Sequence, residues 1–165
     1  MSRASLALFF LLIGSNAFAE PAKLLSRHGD WEAYGYGSGA AKVCYAASPA
    51  KASAGEVPGR KAAYVMVTHG PGNSAHVPSI TLGYEIKEGT DAEAILGSAT
   101  IRFYTKDDTA WARAGDDDKF LKALQKEKTL TVKAIPAKGK PTTDTYALSG
   151  FAEAYREIGK ACAVK

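Results

Sequence analysis

The sequence predicts a mainly β, antiparallel sandwich or barrel with two short helices, and three observations carry that prediction. Apolar and polar residues alternate along several short runs. Turn-forming residues break those runs at intervals of roughly 8–12 residues, the spacing of an all-β domain. Only two segments carry a helical period instead. At 165 residues, 46% hydrophobic and 23% charged, the chain has the balance of one folded domain with a real core, which excludes collagen, coiled coil and wholesale disorder.

The elements follow in order. Residues 30–36 and 42–47 read as strands separated by the glycine-rich turn 35–39. The small-residue stretch 47–59 reads as a long surface loop. Residues 62–67 (AAYVMV) are nearly all apolar, as a central strand covered on both faces would be. Ile80, Leu82, Tyr84 and Ile86 alternate with polar or small residues and read as one half-buried strand. Shorter strands are expected at 93–96, 99–105 and 109–112. Leu130, Val132 and Ala134 alternate with Thr129, Thr131 and Lys133, and a last strand is expected at 142–148.

The first helix is expected at about 116–126. Phe120, Leu121 and Leu124 form its apolar side, its aspartates match the positive end of the helix dipole and its lysines the negative end. The second is expected at about 150–162, with Ser149 as N-cap. There Phe151, Tyr155, Ile158 and Cys162 share one stripe. Trp31 and Trp111, with Phe151 and Tyr155, are the expected large anchors of the core.

Residues 1–19 read as a secretory signal peptide. Arg3 supplies the positive region, the run 6–13 (LALFFLLI) is apolar, and Ala17-Phe18-Ala19 fits an A-x-A cleavage site. The apolar run is too short for a membrane span, and no later stretch is long enough to be one. Residues 20–165 are then a single β-sandwich domain without a transmembrane segment. The expected location is the periplasm, with association at the outer membrane or secretion as the further destinations.

Export decides how the cysteines are read. In an oxidising compartment Cys44, in a strand-like run, and Cys162, on the second helix, read as a structural disulfide stapling helix to sheet. Two separate buried thiols are the rival reading. Two cysteines also exclude a multi-cysteine zinc or iron–sulfur site.

Signals for chemistry are sparse. Asp116-Asp117-Asp118 lacks the alternating ligands of a calcium loop and reads as helix capping. His69 and His76 flank the Gly70-Pro71-Gly72 turn and are the candidate metal or small-ligand residues, although three scattered histidines form no recognised ligand spacing. No nucleophile elbow, activated cysteine or phosphate-cradling glycine loop is present, so neither a catalytic residue nor a cofactor is assigned. Lys119, Lys122, Lys126, Lys128, Lys133, Lys138 and Lys140, with an isoelectric point near 9.0, would allow weak salt-sensitive contact with polyanions. Their simpler reading is a solvated face. Nothing interleaves aromatics with these lysines as specific nucleic-acid binding would require.

Five blocks occur in a telling order: His28-Gly29-Asp30-Trp31, Val43-Cys44-Tyr45-Ala46, the run 64–69 (YVMVTH), the run 105–112 (TKDDTAWA) and the run 142–151 (TTDTYALSGF). Together they resemble the invasion-associated locus B family of alphaproteobacterial envelope proteins, over about residues 28–162. The resemblance implies an immunoglobulin-like β-sandwich in the periplasm or envelope, with no established catalytic activity and no ligand residues to carry over. It implies binding to an unknown protein or envelope component, in host-cell invasion or envelope maintenance. A periplasmic small-ligand or metal-binding module is the alternative. Family members often carry another cysteine near the position of Tyr36, and residues 32–39 here have none.

Overall fold

The computed structural model describes residues 21–72 and 74–164; the expected signal peptide lies outside them. Eleven strands form one hydrogen-bonded sheet. They are β1 (Lys23–His28), β2 (Trp31–Tyr36), β3 (Val43–Pro49), β4 (Ala52–Ala54), β5 (Tyr64–His69), β6 (Val77–Thr81), β7 (Ala92–Leu96), β8 (Ala99–Lys106), β9 (Thr109–Ala112), β10 (Thr129–Ala134) and β11 (Thr142–Ala147). Two α-helices, α1 (Asp117–Lys126) and α2 (Phe151–Ala161), and a short 3-10 turn at Gly39–Ala41 make up the rest of the regular structure among the described residues.

The strand order is β1-β2-β3-β5-β6-β9-β8-β7-β10-β11-β4, antiparallel throughout. This corrects the expectation of two stacked sheets. Pairing runs unbroken from β6 through β9 to β8, so the strands never divide into two separately bonded layers. The sheet curls into a half-barrel instead. Its curl follows from β3 and β4, which are almost one run of chain. Residues 43–47 pair with β2, whereas residues 52–54 pair with β11 at the far end of the order. The expected surface loop at 47–59 therefore contains the strand that returns one edge of the sheet to the other.

Alternation sets the inner face. Ala33, Ala46, Val65, Val67, Ile80, Phe103, Leu130 and Val132 are buried there, each flanked by a more exposed neighbour. Two expected strands differ in detail. In β5, Tyr64, Met66 and Thr68 face outward and retain exposure, so this central strand is covered on one face only. The expected strand at 80–86 keeps its period, with Ile80, Leu82, Tyr84 and Ile86 all buried, but its ladder ends at Thr81. Gly83 turns the chain out with φ +74°, and a Cβ there would fall 2.2 Å from the Lys61 carbonyl oxygen.

The helices close the inside of the curl. α2 lies on β1, β2 and β3 and buries Phe151, Ala154 and Ile158. Its N-cap is Gly150 rather than Ser149, because the chain passes so close to His28 that a Cβ at Gly150 would lie 1.8 Å from the His28 carbonyl oxygen. α1 buries Phe120, Leu121 and Leu124, with Phe120 edge-on to Phe103 at 4.9 Å. Burying each such side chain contributes about 1.5–3 kcal/mol. Asp116 stands at the N-cap of α1 but makes no side-chain capping bond, so it acts on the helix through the dipole. No helix among the described residues is long and apolar enough to cross a membrane.

Candidate functional site

Cys44 and Cys162 form a disulfide, with Cα atoms 6.0 Å apart across 118 positions of sequence. Cys44 sits at an inward position of β3 and Cys162 is the C-cap of α2, so the bond ties the end of the helix to the sheet. The other end of α2 is held by aromatic packing. Trp31 is fully buried, its ring 4.7 Å from Phe151, and its indole N–H donates to the Ala147 carbonyl at 3.0 Å. Tyr155 is half-buried and stacks on Phe151 at 5.4 Å.

Trp111 departs from its expected place in the core. In β9 it is Ala110 that points inward and is fully buried, and strict alternation puts Trp111 on the outer face, half-buried.

His69 and His76 do come together. His69 ends β5 on the inner face, 1% exposed, and His76 follows the turn at φ +60°, with the two rings 4.7 Å apart. The His76 backbone N–H donates to His69 Nδ1 at 3.0 Å, and His76 Nδ1 lies 2.5 Å from the Tyr155 hydroxyl. Burial, and then the neighbouring His76, lower the His69 pKa to about 4. His69 is thus neutral at physiological pH, with its ring proton on Nε2 because Nδ1 is accepting. Burial, and then Asp118, raise the Tyr155 phenol above its ordinary value. No group of three or more His, Cys, Asp or Glu placed to hold a metal occurs among the described residues. The pair is a hydrogen-bonded brace between the 70–76 turn and α2.

Lys119, Lys122, Lys126, Lys128, Lys133, Lys138 and Lys140 are all exposed. They stand on α1, after it, and on or beyond β10.

The feature that sequence reading passed over is the outer face of the sheet. Tyr34 on β2 and Tyr45 on β3 stack at 5.1 Å with planes only 16° apart. With Pro49, Tyr64, Met66 and Glu32 they line an open trough of about 260 Å³. One row of the register continues it across the sheet, from Ala47 to Met66, Ser79, Trp111 and Tyr104. Tyr36, Tyr64 and Tyr104 are among the exposed large hydrophobic residues of the described chain. The Tyr34 hydroxyl donates to Glu32, whose other oxygen receives Arg27 Nε at 2.7 Å. That bond to the carboxylate, and then burial, raise the Tyr34 pKa. A signal for this face was present: the outward positions of β2, β3 and β5 carry tyrosine, whereas those of β10 carry threonine and lysine as a wet face should.

Comparison with known proteins places these elements in a family. The family model described as "Invasion associated locus B (IalB) protein" matches residues 31–159, from the Trp31 anchor to the last turn of α2. No curated protein and no solved structure matches the chain. With most of its length matched, the chain belongs to the invasion associated locus B family.

Proposed function

We propose that this protein is an exported, non-enzymatic envelope protein that acts by binding a protein partner, in host-cell invasion or in maintenance of the envelope. Membership of the invasion associated locus B family supports the envelope assignment. The leader-like residues 1–19 and the Cys44–Cys162 bond support export, since such bonds persist in oxidising compartments. The observation that carries a binding role is the tyrosine-lined outer face. Tyrosine and tryptophan bring large apolar area at low entropic cost, keep a polar edge, and are the residues enriched where proteins meet. The family is not known as enzymatic.

Two experiments test this reading. Chromosomal deletion followed by infection and envelope-stress assays addresses the role, and a defect in either is expected. Wild-type behaviour in both would remove it. Fractionation of cells producing the full chain addresses location: the protein is expected in the periplasmic or outer-membrane fraction, oxidised and trimmed at its N-terminus, and a cytoplasmic, reduced protein would contradict export.

A further inference from the structure

The inside of the curl holds a polar cluster that the outer face does not use. Arg60 reaches it from the strap between β4 and β5. That strap is anchored next to Arg60, since the Lys61 N–H donates to the Gly83 carbonyl at 2.8 Å and the Ala63 carbonyl accepts from the Ala50 N–H at 3.0 Å. Arg60 Nε donates to the Leu82 carbonyl at 3.0 Å, and Nη2 meets Asp144 Oδ2 at 2.5 Å. The guanidinium lies over the Tyr84 ring, 5.0 Å from its centre. Thr142, Asp144 and Tyr146 are successive inward residues of β11, all buried, and Thr142 Oγ1 lies 2.5 Å from the Tyr84 hydroxyl.

These bonds use only part of the cluster's capacity. Arg60 Nη1, Asp144 Oδ1 and the Tyr146 hydroxyl are buried without a hydrogen-bond partner among the described residues. Such atoms are rare in native interiors, and three belonging to adjacent side chains are not independent accidents. Their chemistry selects an occupant. Arg60 Nη1 can only donate, Asp144 Oδ1 can only accept, and the phenol does either. Burial, and then the charge of Asp144, hold Tyr146 protonated, so it is a hydroxyl at any physiological pH. A cation would meet the guanidinium and an anion the carboxylate. A small neutral molecule that donates and accepts suits all three.

We propose that Arg60, Asp144 and Tyr146 bind a buried water molecule, which completes the tie between the 55–63 strap and β11. The site is independent of the binding role proposed above. The Arg60–Asp144 pair alone would leave one carboxylate oxygen and one guanidinium nitrogen without a partner, a poor way to bury charge. With the water in place the pair becomes a satisfied network.

Oxygen-17 magnetic relaxation dispersion, which counts long-lived internal waters, tests the proposal on the full chain and its Tyr146→Phe variant. The variant is expected to lose one long-lived water, and its unfolding equilibrium constant is expected to rise about fivefold as a hydrogen bond is lost. An unchanged water count with equal or greater stability would overturn the proposal, because the hydroxyl would then have had no partner to lose. Should Tyr146→Phe fail to fold, electron density of the wild-type protein decides. A water peak within hydrogen-bond reach of at least two of the three atoms supports the site, and none refutes it.

Discussion

Acidification sets one buried group, His69, against the fold. His69 is 1% exposed and its pKa is lowered from 6.5 to about 4, by burial first and by His76 second. In the unfolded chain its pKa returns to the ordinary value. Between pH 6.5 and 4 the unfolded state therefore binds the proton that the folded state refuses, and stability falls as pH drops through that window. At 1.36 kcal/mol per unit the shift is worth about 3 kcal/mol, a large share of the roughly 5–15 kcal/mol that holds a domain together. Protonation also ends the His76 N–H donation to His69 Nδ1, so the 70–76 turn should loosen first. Asp117 responds with the opposite sign. Burial, and then Asp118 and Asp116, raise its pKa, so lowering the pH relieves it. A variant separates the two: His69→Gln keeps an acceptor for the His76 N–H but does not titrate. Urea unfolding at pH steps from 7.5 to 4.5 should show wild type losing stability steeply and His69→Gln losing much less. Parallel curves for the two proteins would refute the reasoning.

The remaining predictions concern what holds the fold. Reducing Cys44–Cys162 releases a 118-residue closure and should cost about 4–5 kcal/mol, read as a lowered thermal midpoint in dithiothreitol; an unchanged midpoint would mean that the packing of α2 suffices without the bond. Trp31→Ala should cost about 3–5 kcal/mol, since it empties a fully buried site and strands the Ala147 carbonyl, whereas Trp111→Ala on the outer face should cost about 1 kcal/mol. Equal losses in urea unfolding would mean that the two indoles do not face opposite ways. Arg60→Met leaves the wholly buried Asp144 carboxylate without its partner and should cost about 3–5 kcal/mol, and adding Asp144→Leu should recover most of it. No recovery in the double variant would show that packing, not charge, is lost.

Much of this architecture was legible because burial follows a period of two wherever one face meets the core. β7, β8, β9, β10 and β11 lie within a residue or two of where alternation puts them. Both helices announce themselves by apolar stripes, and α2 carries its cysteine on the stripe that faces β3. What escaped depended on partners distant in sequence. β4 is Ala52-Ser53-Ala54, with no pattern of its own, and exists because β11 lies beside it. The curl escaped with it, since a sandwich and a rolled sheet share the same alternation and differ only in which edges pair. The strand expected at 80–86 ends at Thr81, although burial persists past Gly83 where the ladder does not. Arg60 and Asp144 stand 84 positions apart, and nothing local marks either as buried. The candidate site divides the same way. The two histidines were found by proximity to one turn, but their bond to Tyr155 needs α2 in place. The tyrosine face is hard to read from sequence because an aromatic residue in a strand fits a core position as well as an outer one, and Trp111 shows this most plainly.

The central claim is that the tyrosine face, presented outside the cytoplasm, binds a protein partner. Affinity capture from envelope and host-cell extracts, with wild type beside a folded Tyr34→Ala/Tyr45→Ala variant, tests it most directly. The account predicts that a protein retained by wild type is lost from the variant, while the Cys44–Cys162 bond and the thermal midpoint are kept. Equal retention by both proteins, or by neither, would contradict it.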